Sequence, residues 1–307
     1  MRLDGIHHIT AITGDAPGNV DFYARVLGLR LVKKTVNQDD PTVYHLFYAD
    51  EKGSPGSDLT FFEYPGAAPG RAGAGMVHRI VWRVGSSDAI EFWSERLASE
   101  GVEAASDDGR LSFPDPEGLT HELAVVDTAD EALIADHPEI PQELALQGFD
   151  AVRAYSSDPQ ASRGLLEEGL GFAPSSEGWE VRGERRGSRY LYDAPPERPG
   201  LPGGGSVHHV AWASPMEEHE DWRRRVLEHG GHPTQVIDRF YFRSIYFREP
   251  SGVLFEIATI GPGFTADEPL ETLGEALSLP PDYEHLRDEI EPRLTPLENP
   301  RRRAPTR

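Results

Sequence analysis

The sequence lacks cysteine altogether, and it contains no long apolar run. Without a thiol there can be no disulfide, no iron–sulfur cluster and no cysteine nucleophile. Any transition metal would therefore be held by histidine and carboxylate side chains. No stretch approaches the roughly 18 consecutive apolar residues of a transmembrane helix, so we expect no membrane partner.

Basic residues are scarce relative to acidic ones. The 307 residues include 52 acidic and 30 basic side chains, which gives a formal charge of −22 at pH 7. A surface this negative should repel phosphate backbones, so we expect no nucleic-acid partner. The opening residues, MRLDGIHHIT, have no apolar stretch typical of a signal peptide, and we expect a soluble cytoplasmic protein.

What the sequence does contain is a fourfold internal repeat. Four segments begin with a short apolar run that predicts a β-strand. They start at Gly5, Met76, Gly148 and Ser206. A stretch of helical periodicity follows each strand, and two or three further strand-like runs come after it. These helices are predicted over residues 19–28, 87–101, 160–171 and 217–230.

The repeat predicts the fold class and the domain organisation. A βαβββ unit is too small to close its own core, so units must pair. We predict an α+β protein with four βαβββ units paired into two domains. Residues 1–145 hold units at 4–64 and 76–126, and residues 146–262 hold units at 148–193 and 206–260. Residues 263–307 form a tail with one helix, at 282–294, and a basic run at 301–307 that we expect to be disordered.

The starts of the four units contain candidate metal ligands. Side chains alternate across a strand, so the third and fourth positions of each start should face opposite ways. The third-position face continues as apolar residues and should pack under the helix, whereas the fourth-position face is more polar and should line a cavity. His8 and His209, at the fourth position, are therefore the candidate ligands. His7 and His208, at the third, are expected to be core or supporting histidines.

Glu256 supplies a candidate carboxylate ligand. It lies in the apolar run VLFEIA, where an unpaired carboxylate would be costly and a metal would provide a partner. Glu122 holds the same place in the second unit, but the counterparts of the ligand histidines there are Arg79 and Ala151. We expect an Arg79–Glu122 ion pair and no metal at that place.

The first unit has no carboxylate at the corresponding place. Counting from its proline assigns Phe61 to the position of Glu256, and Glu63 shares the strand parity of Phe61. Glu63 is left open as a fourth ligand, although its place at the strand end favours solvent exposure. His8, His209 and Glu256 make the set of two imidazoles and one carboxylate that is typical of non-haem Fe(II) sites.

These motifs carry a resemblance to a known family. The chain resembles the vicinal oxygen chelate superfamily of glyoxalases and extradiol dioxygenases, and within it the hydroquinone-type ring-cleaving dioxygenases. The matching stretches include GIHHIT at 5–10, LGLRLVKKTVN at 27–37, YHLFY at 44–48, VHH at 207–209 and GVLFE at 252–256. The resemblance implies that units one and four share the metal cavity.

The resemblance also implies a reaction and a cofactor. It implies Fe(II), or else Mn(II), held by His8, His209 and Glu256. The implied activity is that of a non-haem iron, extradiol-type dioxygenase that cleaves the ring of a hydroquinone- or catechol-like diol with O2. The implied partners are thus the small aromatic diol and O2, and we expect a homo-oligomer.

Further residues are assigned by the resemblance to the surroundings of the metal. Family positions near the substrate correspond to Thr10, His208, Arg239 and Tyr246. We expect Tyr246 or His208 to act as general acid or base, and Arg239 to stabilise developing negative charge. The substrate pocket is predicted to be lined by Thr10, Phe61 and Phe242.

Two alternative functions stay open at this point. A glyoxalase-type isomerase or lyase on the same scaffold usually uses four protein ligands and a redox-inert metal. Phe61, at the place where the first unit would supply a fourth protein ligand, argues against that alternative. A ligating Glu63 would restore it. A non-enzymatic resistance protein that binds an aromatic compound would hold no metal.

Overall fold

The computed structural model describes residues 1–298 and residue 300. The basic run 301–307, predicted to be disordered, lies outside these residues. Two eight-stranded mixed sheets with helices packed on them make up the fold, which confirms the predicted α+β class. Among the described residues, no helix combines the length and the apolar character that crossing a membrane requires.

Each repeat unit contributes four strands. The first unit forms β1 (Ile6–Thr13), β2 (Arg30–Asn37), β3 (Asp40–Ala49) and β4 (Asp58–Glu63). The second forms β5 (Val77–Val84), β6 (Ala105–Asp107), β7 (Arg110–Pro114) and β8 (Thr120–Val125). The third forms β9 (Phe149–Tyr155), β10 (Ala173–Pro174), β11 (Gly178–Arg182) and β12 (Gly187–Asp193). The fourth forms β13 (Val207–Ser214), β14 (Ile237–Asp238), β15 (Arg243–Arg248) and β16 (Leu254–Thr259).

The sheets pair units that are distant in the chain. The first sheet has the order β14-β15-β16-β13-β1-β4-β3-β2, so β1 and β13 join units one and four. The second has the order β10-β11-β12-β9-β5-β8-β7-β6, so β5 and β9 join units two and three. Each sheet therefore takes one unit from residues 1–145 and one from 146–262. The domain boundaries at residues 145 and 262 stay a prediction.

The helices follow the predicted periodicity, with local differences. The helix α2 (Ser87–Ser99) is capped by Ser86, whose side chain accepts a hydrogen bond from the backbone N–H of Ala89. The helix buries Trp93 and Leu97. The helix α3 (His219–Glu228) buries Trp222 and Val226. In the first unit, α1 (Ala16–Val20) continues as a π-helical segment at Asp21–Val26. The third unit has a 3-10 turn at Pro159–Ser162 and a π-helical segment at Gly164–Gly169.

The predicted tail helix at 282–294 is divided into short pieces. These are α4 (Pro281–Glu284), α5 (Arg287–Ile290) and a 3-10 turn at Glu291–Arg293. Pro292 lies in the last piece, where it has no backbone N–H to continue an α-helical hydrogen-bond ladder. The segment therefore does not form the one continuous helix that was predicted.

A buried lysine holds the tail against the first sheet. Lys33 on β2 is 0% exposed, and its Nζ lies 2.8 Å from Asp267 Oδ1 and 3.2 Å from the carbonyl oxygen of Phe264. Glu268 is a second ionic partner of the same ammonium group. Asp267 also accepts a hydrogen bond from Tyr241 Oη at 2.8 Å. The tail thus packs against both units that form the first sheet.

We predict that Lys33→Met lowers the free energy of unfolding by about 3–5 kcal/mol, because it leaves two carboxylates without their buried cation. Urea denaturation followed by tryptophan fluorescence measures the change. Lys52 is exposed, and Lys52→Met should change stability by no more than about 0.5 kcal/mol. Equal stability of the two variants would show that the tail does not depend on the lysine.

Candidate metal centre

Three buried side chains from three adjacent strands converge in the first sheet. His8 lies on β1, His209 on β13 and Glu256 on β16. Glu256 Oε2 is 3.2 Å from His8 Nε2 and 3.0 Å from His209 Nε2, and the two imidazole nitrogens are 3.3 Å apart. Within residues 1–298 and 300, these three form the one cluster of three or more histidine or carboxylate groups able to hold a metal ion.

Strand register produces this convergence. The antiparallel pairing of β1 with β13 places Thr10 opposite His209 and His8 opposite Ala211. The parallel pairing of β13 with β16 then places Ala211 beside Glu256. The two equivalent histidines of units one and four therefore meet across the joint between the units, with the carboxylate beside them.

The pKa values of two of the three donors, Glu256 and His209, are shifted in the direction that favours metal binding. Burial alone would raise the pKa of Glu256, but the adjacent His8 and His209 outweigh it and hold that pKa well below its usual range. Burial likewise lowers the pKa of His209. An ionised carboxylate and neutral imidazoles are the forms that bind metal ions.

One oxygen of the carboxylate has no hydrogen-bond partner. Glu256 Oε1 accepts a hydrogen bond from Ser244 Oγ at 2.5 Å. Glu256 Oε2 is buried and has no partner with hydrogen-bonding geometry in the described part of the chain. A buried carboxylate oxygen left in this way is costly unless a cation meets it. The three side chains therefore fit a divalent metal ion.

The second sheet keeps the register but not the donor set. Glu122 lies beside Val81 on β5, as Glu256 lies beside Ala211 on β13. Its carboxylate is 2.5 Å from Arg79 Nη1 and 2.5 Å from Arg110 Nη1. The predicted Arg79–Glu122 ion pair is confirmed, with Arg110 as a second cation that the sequence did not indicate.

Two β-bulges give His7 and His208 an orientation different from the one predicted. The β1–β13 register passes from Ile6 to His8 and from His209 to Val207, so both histidines are the extra residues of bulges. A bulge changes the direction of a side chain that strict alternation would place on the other face. His7 Nδ1 is 2.9 Å from His8 Nδ1, and His208 Nδ1 is 2.8 Å from His209 Nδ1. Both histidines thus contact the candidate ligands.

The structure also changes which residue of the first unit corresponds to Glu256. Thr10 on β1 pairs with Thr60, so Thr60 and not Phe61 occupies the place of Glu256. Phe61 faces the helix side, where its ring centre is 4.8 Å from that of Tyr23. Phe61 therefore does not line the cavity at the metal ligands, contrary to the prediction.

Glu63 also lies away from the cluster. Its Oε1 accepts hydrogen bonds from the backbone of Ala16 at 3.4 Å and from Thr295 Oγ1 at 2.7 Å. Burial raises its pKa, and the expected solvent exposure is wrong because the side chain is 2% exposed. It therefore offers no fourth ligand to the cluster.

A small cavity opens beside the three donors. Its volume is about 40 Å³, which is enough for a few water molecules. Both units contribute to its wall. Its lining comprises His8, Thr35, Asn37, Gln38, Asp39, His45, Phe47, Phe62, His209, Arg239, Tyr241, Phe242 and Tyr246.

Of the residues predicted around the metal, one predicted pocket residue, Phe242, and two predicted catalytic residues, Tyr246 and Arg239, line this cavity. The Phe242 ring is 5.1 Å from the His8 ring, and the Tyr246 ring is 5.6 Å from the His209 ring. Burial, followed by the charge of Glu256, raises the pKa of Tyr246, so its phenol stays protonated at neutral pH. Arg239 Nη1 and Nη2 donate hydrogen bonds to Asp39 at 3.0 and 2.9 Å, which joins the two units at the cavity.

Thr10 and His208 lie behind or beside the lining. Thr10 Oγ1 is 2.8 Å from Thr60 Oγ1, and Thr60 Oγ1 is 2.9 Å from His45 Nε2. His208 is exposed, and its ring is 5.6 Å from that of Phe62. Thr10 is therefore linked to the cavity residue His45 by a hydrogen-bonded chain, and His208 contacts the cavity residue His209.

Sequence reasoning missed the part of the wall that β2 and β3 supply. Thr35, His45 and Phe47 lie on these strands, within or beside stretches that matched the family. Alternation along β3 could have indicated that His45 and Phe47 share a face. The signal that this face is the cavity face came only from the sheet order.

Comparisons with known proteins agree with this architecture. The family model described as "Glyoxalase/Bleomycin resistance protein/Dioxygenase superfamily" matches residues 5–123 and 148–257. "Putative ring-cleaving dioxygenase MhqA" of Bacillus subtilis (strain 168) is 40% identical over 97% of this chain and 100% of its own length. "Chlorohydroquinone/hydroquinone 1,2-dioxygenase" of Sphingobium indicum is 34% identical over 94% of this chain and 95% of its own length.

Solved structures show the same fold. The crystal structure of the "putative dioxygenase from Bacillus subtilis subsp. subtilis str. 168" superimposes with a TM-score of 0.90 at 40% identity. It covers 97% of this chain and 98% of its own. Glyoxalase I from Zea mays gives a TM-score of 0.58 at 16% identity over 85% of this chain and 93% of its own, a likeness of fold alone. The chain therefore belongs to the glyoxalase/bleomycin resistance protein/dioxygenase superfamily.

Proposed function

We propose that this chain is an Fe(II)-dependent dioxygenase that opens the ring of a hydroquinone- or catechol-like diol with O2. The observation that carries the proposal is the buried, unpartnered Oε2 of Glu256 facing His8 and His209 beside an aromatic-walled cavity. The names of relatives similar over almost the whole chain support the same reaction.

Fe(II) held by His8, His209 and Glu256 would supply the redox chemistry by which O2 reacts with an electron-rich ring. Both oxygen atoms enter the product as a carbon–carbon bond of the ring breaks, so no external reductant is needed. The protein binds the diol, keeps water out of the cavity and controls the protons of the hydroxyl groups.

Two residues at the cavity are suited to proton and charge control. Tyr246 is protonated at neutral pH, because burial raises its pKa, and it can donate a hydrogen bond or a proton at the ring. Arg239 offers positive charge on the same wall, 5.6 Å from the centre of the Tyr246 ring. His208 contacts the ligand His209 and supports its orientation.

The alternative functions receive less support from the geometry. A glyoxalase-type isomerase needs a fourth protein ligand, but Thr60 occupies that place and Glu63 bonds elsewhere. A non-enzymatic resistance protein has no use for a buried His–His–Glu cluster with an unpartnered oxygen, which is a costly arrangement without a metal.

The direct test is oxygen consumption. Anaerobically purified protein loaded with Fe(II) should consume one O2 per hydroquinone or catechol molecule converted, measured with an oxygen electrode and by loss of the aromatic absorbance. Glu256→Gln should abolish the consumption. Absence of iron-dependent uptake with every hydroquinone and catechol tested would overturn the proposed reaction.

The metal content of two variants tests which of the two sheets binds the metal ion. Glu256→Gln should lose the metal, which we expect at about one ion per chain in the unaltered protein. Glu122→Gln should retain it, because Arg79 and Arg110 and not a metal face that carboxylate. Elemental analysis of folded protein, checked by circular dichroism, measures both. Loss of metal from Glu122→Gln would indicate that the ion depends on the second sheet and would contradict its assignment to the first.

Metal removal should lower stability by mass action. Adding Fe(II) to the metal-free protein at 100 times its dissociation constant should raise the free energy of unfolding by about 2.7 kcal/mol. Thermal denaturation under nitrogen, with and without a chelator, measures this change. The same addition should leave Glu256→Gln unaffected, and an equal rise in that variant would assign the stabilisation to another site.

A further inference from the structure

The wall of the cavity formed by β2 and β3 carries polar atoms without partners. Thr35 is 2% exposed, and its Oγ1 has no hydrogen-bond partner in the described part of the chain. His45 bonds Thr60 Oγ1 through Nε2, and within residues 1–298 and 300 no hydrogen bond involves its Nδ1. Both residues line the cavity beside the candidate metal ligands.

The two side chains are neighbours in the sheet. Thr35 on β2 pairs directly with His45 on β3, and side chains of directly paired residues lie on the same face. The hydrogen-bonded chain from His45 through Thr60 to Thr10 fixes the imidazole from behind. The free nitrogen and the free hydroxyl are thus presented together by a rigid sheet.

The surroundings of this pair suit an aromatic ring. The His45 ring centre is 3.9 Å from that of Phe47 and 4.4 Å from that of Phe62. Burial, and after it the neighbouring His8 and His209, hold the pKa of His45 well below its usual range. The imidazole is therefore neutral and can either donate or accept a hydrogen bond at the cavity.

We propose that Thr35 and His45 form a second polar subsite, which binds the hydroxyl of an aromatic diol that the metal does not hold. This inference rests on the proposed function, because it assumes that one hydroxyl lies at His8, His209 and Glu256. The subsite belongs to the first unit's outer strands, whereas His209 and Glu256 come from the fourth unit. A ring between them meets polar atoms on both sides.

The subsite has a consequence for substrate class. The two hydroxyls of a catechol are on adjacent carbons and can both reach one metal ion. The two hydroxyls of a hydroquinone are on opposite sides of the ring, so the second needs a separate partner. A buried hydroxyl and an imidazole nitrogen that lack partners reject a ligand without the matching group more strongly than an apolar wall does. The subsite therefore selects a para-diol.

Binding without turnover tests the subsite independently of the reaction. Titration calorimetry under nitrogen, on the protein with the metal it retains, compares hydroquinone with phenol, which lacks the second hydroxyl. Hydroquinone should bind about tenfold tighter, corresponding to one hydrogen bond. This exceeds the factor of two that its two equivalent hydroxyls give by symmetry.

Variants test whether the preference for hydroquinone over phenol depends on Thr35 and His45. Thr35→Val and His45→Phe should each reduce the hydroquinone-to-phenol preference toward that symmetry factor, with little effect on phenol binding. His45→Asn places an amide near the position of Nδ1 and should restore part of the preference, whereas His45→Gln places it near Nε2 and should not. Thr272→Val and His232→Phe, at exposed positions, are the matched controls and should keep the preference.

The outcomes are distinct for the two proposals. Equal affinity of the unaltered protein for hydroquinone and phenol, or a preference that survives both Thr35→Val and His45→Phe, would overturn the subsite. Failure to bind hydroquinone at all would do the same. A preference that depends on Thr35 and His45, together with no oxygen consumption, would uphold the subsite and overturn the dioxygenase reaction.

Discussion

The antiparallel pairing of β1 with β13 is the constraint on which the candidate site depends. It brings together two units separated by about two hundred residues and places His8 and His209 so that their Nε2 atoms are 3.3 Å apart. Glu256 reaches the same point from β16 because β16 pairs with β13 in parallel. A buried carboxylate of this kind is stable only if cationic or polar groups meet it. The two histidines meet part of that requirement, and the proposed metal ion would complete it. No single unit contains all three candidate donors.

The second sheet shows what the same register does with other side chains. Glu122 has the place of Glu256, but Arg79 stands where the first sheet has a ligand histidine, and Arg110 faces the carboxylate from β7. The two guanidinium groups neutralise the carboxylate within the protein. Duplicated backbone geometry is therefore compatible with either a metal site or an ion pair, and the residue one strand away decides between them. Fold alone does not specify the function.

The walls of the cavity extend the site beyond its three donors. The fourth unit supplies Tyr246, Arg239 and Phe242, the first unit supplies the strands that carry Thr35 and His45, and the tail supports Tyr241 through Asp267 and Lys33. The Arg239–Asp39 ion pair connects the two units at the cavity. The cavity is smaller than an aromatic diol, so the proposed substrate would enter only if the cavity walls moved apart.

The sequence by itself determined the repeat and the fold class, and it selected the three candidate donors that the structure brings together. It could do so because apolar periodicity and the cost of a buried carboxylate are local properties. It also predicted the Arg79–Glu122 pair from aligned repeats. Strict alternation misplaced His7 and His208, since a bulge adds a residue that periodicity does not reveal. Counting from a proline misplaced Phe61 by one residue, which in a strand reverses the face. Only the tertiary structure decided that Thr60 has in the first unit the place that Glu256 has in the fourth. It likewise decided that Glu63 bonds Thr295, and that Thr35 and His45 line the same cavity as the candidate metal ligands. These relations depend on sheet order and register between distant segments, which no local pattern fixes.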